Sequence, residues 1–565
     1  MKLWTSLLTP LVFFVVGASG ISAAPVVNQV LNAASNIDPR MPNAALAPGS
    51  IFIIKGTGLG PAQISIAPNA FQSTTLSGTS VKVTVSGTTV DALMYYTSAN
   101  QIAALLPSNT PAGGGTITVT YNGQSSPSTQ FRGVVARNLA LFTVDSTGTG
   151  PAIVTYPDYS LVSPSKAANC GGPNTVCGAA NPGDVLILWG TGLGAITGDD
   201  ASGAGLGVNM PNIPLNVWLG GVQASVIYQG RSGCCIGEDQ VVFTVPNNVP
   251  TGCAVPLVVQ INNQVSNTTA MAVANGGRTC SEISLPGVDI SQFSSLSTLT
   301  LANVELDHFL IDPSNPGKGF VDKAQSLFAR FPLPAASRPF FASYVSNQPI
   351  GTCTVFGTKA AGDVFFSNVV NDAMNNGTFA FLDGGTSFTI TGPNGSKNVQ
   401  INNGSSTTLS QNGAFLTPGD YAFVGNGGND IGPFTAHITI PATPTLTKPS
   451  NPNGLIITRS QGTTVTWNAT GATGHMEIII SVFLDQNTMA QAWCTVQANA
   501  GTFTIPAYVL LALPPAANGG ASFFFGPGDQ GPAYSGIFTA NGLTNGIGIA
   551  QAFLDGVISG GVTLN

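Results

Sequence analysis

The stretch "SIFIIKGTGLGPA", Ser50 to Ala62, sets an apolar run against glycines at every second position, Gly56, Gly58 and Gly60. A strand running into a glycine turn is also how a phosphate-cradling loop begins, so its reading separates a nucleotide-binding fold from everything else. A dinucleotide fingerprint needs G-x-G-x-x-G entering a helix whose N-terminal N–H groups receive the pyrophosphate. Here the spacing is G-x-G-x-G, and the chain runs on into further Gly, Pro and Asn and then the alternating strand "SVKVTV" (80–85). The glycines are therefore structural. Pro48-Gly49 turns the chain into a buried strand, and Gly56 and Gly58 close that strand with a tight turn or bulge at φ > 0.

The same device recurs. "APGSIFIIKGTGLG" (47–60) is matched by "NPGDVLILWGTGLG" (181–194), which puts Pro182, Gly183, Gly190 and Gly192 where the first copy has Pro48, Gly49, Gly56 and Gly58, 134 residues earlier. Downstream, "NQIAALLPSNTPAGGGTITVTYNGQSS" from Asn100 lines up with "DQVVFTVPNNVPTGCAVPLVVQINNQVS" from Asp239. A module of roughly 120–140 residues thus occurs twice, each copy rich in short strands separated by turn residues. That spacing predicts an immunoglobulin-like β-sandwich.

Composition agrees. Charged residues are 7% of the chain while Gly (69) and Pro (39) abound, which disfavours salt-bridged helices and favours an all-β fold. With 17 basic and 24 acidic residues and no basic run, the chain lacks the electrostatic footprint of a nucleic-acid binder. "MKLWTSLLTPLVFFVVGASGISAAP" has one Lys, an apolar run from Leu7 to Val16 and then small residues, the layout of a secretory signal peptide cleaved after Ala23. The run is short of the ~20 residues that span a bilayer, so no membrane span is expected once the signal is removed.

These residues also carry a family resemblance. "APGSIFIIKGTGL" resembles the opening strand of IPT/TIG domains, the Ig-like fold of plexins and many bacterial surface proteins. The second copy, through Pro182, Gly183, Gly190, Gly192, Leu193, "CCIGEDQVVFTVP" from Cys234, Gly252, Cys253 and "NNQVSN" ending at Asn267, resembles a repeat domain of unknown function from secreted acidobacterial proteins. Glu238 stands where such domains usually carry Leu, and the first copy lacks every cysteine. The resemblance covers about 25–280 and implies fold and export, not an activity. The organisation expected is a signal peptide (1–23), Ig-like domains at 24–143 and 144–280, a connector (281–349) whose "GKGFVDKAQSLFARF" (317–331) has the pattern of a short amphipathic helix, and two further β-sandwiches at 350–442 and 443–565.

Candidate chemistry is sparse. In "VELDHFLID" (304–312), Glu305 and Asp307 share a strand face, His308 points the other way and Asp312 comes next. A carboxylate pair serves glycoside hydrolysis when held ~5–10 Å apart, so this is the catalytic or metal candidate. His437 and His475 are isolated, and "GRSGC" (230–234) is not a nucleophile elbow. Asp199-Asp200 and Asn426 to Asp430 offer oxygen ligands without the spacing of a calcium loop. No cofactor is expected. The reading favoured is an exported, non-enzymatic binding, adhesion or spacer protein whose partner is a polysaccharide or another surface protein. The alternative is a secreted polysaccharide hydrolase built around Glu305 and Asp307, against which stands the presence of only four Glu in the chain.

Eight cysteines in an exported chain predict disulfides. Cys170 and Cys177 bracket a Gly-Pro turn and are expected to pair. The adjacent Cys234 and Cys235, facing opposite ways on a strand, are expected to take Cys253 and Cys280 in an undecided order, with a vicinal bond as the alternative. Cys353 and Cys494 remain to bridge the two C-terminal units.

Overall fold

Alternating apolar residues make Thr79–Val85 a strand that buries Val81, Val83 and Val85 on one face, each worth roughly 1.5–3 kcal/mol of burial. The computed structural model describes residues 23–166, 177–281, 290–310, 319–335, 338–357, 361–485, 488–527, 535–543, 546–554 and 558–565. The signal peptide expected over 1–23 lies outside them save for Ala23, as do Cys170 and Asp312.

In the first copy one sheet runs Val26–Asn32, Ile51–Thr57, Gln101–Leu105, Leu93–Thr97; the facing sheet is centred on Thr79–Val85 and Gly113–Tyr121, with Thr88–Asp91 beside the former. In the second, the order is Ala140–Leu141, Val185–Thr191, Asp239–Thr244, Val222–Arg231, Leu215–Leu219, Gly252–Ile261. The two orders correspond strand for strand. The main difference is in one of these strands: Val222–Arg231 shifts register between Val226 and Tyr228 and pairs with both sheets, whereas the first copy breaks it into Thr88–Asp91 and Leu93–Thr97; short edge strands also differ, Ser65–Ile66 and Thr75–Leu76 in the first copy and Val154–Thr155 in the second. The fold is all-β, with immunoglobulin-like sandwiches in tandem.

The Pro-Gly turn has the same geometry in both copies. Ser50 N donates to Ala47 O at 3.1 Å with Gly49 at φ +75°, and Asp184 N to Asn181 O at 3.0 Å with Gly183 at φ +86°, the positive φ a type II turn needs at its third residue. At the strand's end Gly58 (φ +64°) and Gly192 (φ +122°) take positive φ, and so does Gly194 (φ +108°) in the second copy. Gly56 and Gly190, expected to do the same, do not. They are needed for space, because a Cβ on Gly56 would stand 2.0 Å from Val26 O and one on Gly190 2.5 Å from Ala140 O, where the preceding strand crosses. Neither glycine run opens a helix.

The C-terminal half is two sandwiches, but their segments interleave. Of the stretch 317–331, expected to be helical, the residues from Phe320 onward form a strand: Phe320–Pro332 pairs with Thr298–Leu310 over their full length. Its burial alternates, Ala324, Ser326 and Phe328 inward, and thirteen cross-strand partners override its helix-compatible composition. This hairpin is no connector. Gly546–Leu554 returns from near the chain's end to lie parallel beside it, and the resulting sheet packs Val304, Leu306 and Phe328 against Phe388, Phe423 and Phe434 of the sheet Ser387–Gly392, Gly395–Gln400, Gly419–Gly425, Phe434–Ile440. Conversely Thr352–Gly357, expected in the third sandwich, pairs with Met489–Gln497 in the fourth. There Val465 and Trp467 pack on Ile478, Ile480, Phe523 and Phe525. Phe340 and Phe341 are buried as well, Phe341 against Phe293, which is core packing and not a binding platform.

Candidate functional site

Strand alternation places Asn303, Glu305 and Asp307 on the face of Thr298–Leu310 opposite the sandwich core. Both carboxyls are buried. Glu305 Oε2 accepts from Asn303 Nδ2 at 3.0 Å and Gln551 Nε2 at 3.1 Å, and its Oε1 accepts from Gln325 Nε2. Burial, then the charge of Glu305 and a hydrogen bond shared with it, push the Asp307 carboxyl up to about 8 against the pull of Lys323. Asp307 therefore keeps a proton at neutral pH.

The rest of "VELDH" is turned away. His308 Nδ1 meets Asp322 Oδ1 at 2.5 Å and its ring stacks on Phe320, while Asp322 Oδ2 accepts from Phe415 N and Leu416 N at 2.7 and 3.0 Å. That arrangement fastens a loop. His437 lies exposed in the third sandwich and His475 buried in the fourth, too far apart in the fold to act together. Asp430 and Asp383 close a turn by accepting main-chain N–H groups, and three donors, Asn429 N and Gly385 N foremost, hold Asp383 below the usual carboxylate range.

Cysteine pairing follows the vicinal alternative for the adjacent pair and the expected partners for Cys353 and Cys494, and departs from expectation elsewhere. Cys234 and Cys235 bond each other, and Cys253 bonds Cys280 with Cα atoms 5.2 Å apart. The adjacent pair does not face opposite ways because it sits in a turn closed by Ser232 N to Glu238 O at 2.9 Å and not on a strand. Cys353 and Cys494 are direct cross-strand neighbours within the fourth sandwich, so they bridge no two units.

The residues that do converge sit at the junctions. Asp239, fully buried, accepts from Gly192 N and Leu193 N at 2.6 and 2.7 Å and pairs with the buried Arg231, whose Nη2 donates to Gly194 O at 2.6 Å. Burial pushes the Asp239 carboxyl upward while Arg231 and those N–H groups pull it down. The first copy holds its turn with no carboxylate: Gly56 N donates to Asn100 O and Leu59 N to Ala99 O, and Thr79 Oγ1 donates to Leu59 O at 3.4 Å. Its Pro48-Gly49 turn presses on Arg231, which a Cβ on Gly49 would strike at 1.8 Å. Asp200 crosses the same junction to accept from Ser108 N and Oγ at 2.7 and 2.8 Å. Asp199 caps the short turn beside it through Ala201 N.

The fourth sandwich folds back onto both copies. Trp218 stacks on Tyr508 at 4.9 Å, and Arg40 reaches Asp485 at 2.5 Å and Thr488 at 3.1 Å. Where the three sandwiches meet, a cavity of about 150 Å³ is lined by Ser35, Asn36 and Asn43 of the first, Thr147 and Thr268 of the second and Phe356 of the fourth, among others. Asp38 lies at its wall, and hydrogen bonds from the Arg40 side chain hold its carboxyl below the usual range. Neither the role of Arg231 nor this cavity is legible in the sequence; the one signal is Asp239 replacing Asn100 in otherwise matching copies.

Fold and junctions together define a tandem immunoglobulin-like β-sandwich protein. Residues 35–132 match the family profile of the IPT/TIG domain. No curated protein matches the sequence. Among solved structures, the extracellular region of plexin A4 is 12% identical with a TM-score of 0.16 over 44% of this chain and 18% of that one, so this chain spans under a fifth of the plexin chain's length. SGBP-B of the Bacteroides ovatus mixed-linkage glucan utilization locus, solved with a mixed-linkage heptasaccharide, is 11% identical with a TM-score of 0.20 over 55% of this chain and 72% of that one. A tetra-tandem repeat from the extending region of a large adhesion protein is 11% identical with a TM-score of 0.12 over 95% and 99%. Among the described residues no helix is long and apolar enough to cross a membrane.

Proposed function

We propose that this chain is an exported, non-catalytic binding protein whose contacts are made where its sandwiches meet, with a polysaccharide or another surface protein as partner. The observation that carries the reading is the state of the carboxyl pair. Glycoside hydrolysis needs two carboxyls roughly 5–10 Å apart with the scissile bond between them. Glu305 instead has both oxygens engaged by three side-chain amides, and it and Asp307 are both buried. A carboxylate whose oxygens are so occupied is not free to act as nucleophile or base.

Binding is favoured over spacing by the contacts between sandwiches that are not consecutive in the chain. Arg40 on Asp485 ties the first to the fourth, and Trp218 on Tyr508 ties the second to the fourth. A spacer has no use for such ties, whereas a binding protein gains preorganised loops from them. The protonated Asp307 favours the hydrolase as second reading, since a general acid needs that state. One experiment separates them: the secreted protein is assayed for retention on, and hydrolysis of, plant and microbial polysaccharides. Retention without turnover is expected, and turnover abolished by Glu305→Gln would overturn the binding reading.

A further inference from the structure

We infer that Cys234, Cys235 and Glu238 form a latent zinc site, closed while the two cysteines are bonded to each other and opened when a dithiol reduces them. The two sulfurs and a Glu238 carboxylate oxygen lie within 4.8 Å of one another. The turn sets that grouping: Ser232 N donates to Glu238 O at 2.9 Å and Glu238 N to Cys235 O at 3.3 Å, which folds the glutamate back over the pair. Ile236 anchors the same turn by packing into the apolar cluster of Ile51, Phe71 and Leu105 in the first copy. Cys234 is exposed, and Cys235 and Glu238 are half-buried, so a reductant and an ion reach the group from solvent.

A structural staple does not account for the pair. A disulfide stabilises largely by removing freedom from the unfolded chain, and the effect grows with the loop it closes. Adjacent cysteines close no loop, whereas Cys253–Cys280 and Cys353–Cys494 span 27 and 141 positions. The first copy makes its corresponding turn with Ala99 in place of Glu238 and with no cysteine. The Glu238 carboxylate, next in sequence to Asp239, takes no hydrogen bond or ion pair among the described residues. Arg231, on the strand leading into the turn, is committed to Asp239 and Gly194 O. The open partner at this group is therefore a cation.

The ligand set narrows the class. Two thiolates and one carboxylate suit zinc, which takes sulfur and oxygen ligands in a tetrahedron and leaves its fourth position to water, whereas calcium and magnesium require oxygens throughout. Ligand atoms of such a tetrahedron stand roughly 3–4 Å apart, close to the grouping already present. Opening balances as thiol exchange. One thiolate of the dithiol attacks a sulfur of the Cys234–Cys235 bond, its second thiol resolves the mixed disulfide, and the reductant leaves as its own disulfide with both cysteines as thiols. Zn²⁺ then takes both sulfurs as two protons pass to solvent, with no change of oxidation state at the metal.

The test uses the full secreted chain, reduced with a mild dithiol that is then removed without air. Cys253, Cys280, Cys353 and Cys494 are at most 6% exposed, so thiol labelling should find Cys234 and Cys235 opened ahead of them. Zinc uptake is read by competition with a chromophoric chelator, and Co²⁺ serves as the spectroscopic probe. One Zn²⁺ per reduced chain and none per oxidised chain is expected, with a thiolate-to-cobalt charge-transfer band in the reduced protein. Glu238→Gln should weaken zinc binding by about tenfold or more. The double variant Cys234→Ser, Cys235→Ser should take up no zinc and melt with the wild type, since the lost bond closes no loop. No uptake after reduction, uptake unchanged in the double variant, or Glu238→Gln binding as tightly as wild type would overturn the site. A double variant melting far below wild type would make the pair a staple and overturn it as well.

Discussion

Replacing Asp239 by Ala takes away the carboxylate that closes the second copy's glycine turn, and the cost is set by the partners it abandons. Arg231 is 3% exposed and Asp239 fully buried, so the guanidinium would be stranded without a counter-charge, a loss of about 3–5 kcal/mol. Gly192 N and Leu193 N would lose their acceptor too, and the two losses overlap, so about 5 kcal/mol in total is expected for the second sandwich. Asp239→Asn keeps an acceptor for the N–H groups but not the charge, and should cost about 3 kcal/mol. Combining Arg231→Met with Asp239→Leu removes both charges and should recover about half the loss of Asp239→Ala. The first copy supplies the control. Asn100 acts there through its main-chain carbonyl and its side chain is exposed, so Asn100→Ala should stay within about 0.5 kcal/mol. Urea denaturation of the purified protein reads all four variants. A cost below about 1 kcal/mol for Asp239→Ala, or a double variant no better than the single, would refute the reasoning.

Gly190→Ala sets a Cβ 2.5 Å from Ala140 O and should destabilise by about 1–3 kcal/mol, whereas Gly114→Ala, with nothing within 4 Å, should be near neutral; thermal melts compare them. Asp307 has its folded pKa raised to about 8, above an unfolded value of about 3.9, so the native state holds a proton that the unfolded state has lost between those values. Its contribution is fully present below about pH 4 and disappears as pH rises toward about 8; Asp307→Asn should flatten that decline in urea midpoints taken from about pH 4 to about pH 9. Non-reducing peptide maps should join Cys253 to Cys280 and Cys353 to Cys494, and show Cys234 and Cys235 oxidised within one peptide; a Cys234–Cys253 link would contradict the turn geometry.

The glycine turns, the repeat and the all-β class were readable from residue order because each depends on short-range chemistry. A Pro-Gly pair sets its own turn, apolar alternation sets a strand's inner face, and a repeated pattern carries the strand order from one copy to the other. Only the tertiary structure decided which segments share a sheet. Phe320–Pro332 has residues that suit a helix, and pairing with Thr298–Leu310 made it a strand; Gly546–Leu554 joined that sheet from more than 200 residues away. Glu305 and Asp307 were legible as same-face neighbours, but Gln325 and Gln551, which occupy Glu305, come from other strands, and with them the difference between a catalytic pair and a held carboxylate. The cavity of Ser35, Asn43, Thr268 and Phe356 left no mark in the sequence at all. Its residues are commonplace one by one and acquire meaning only through long-range packing, which no local pattern encodes.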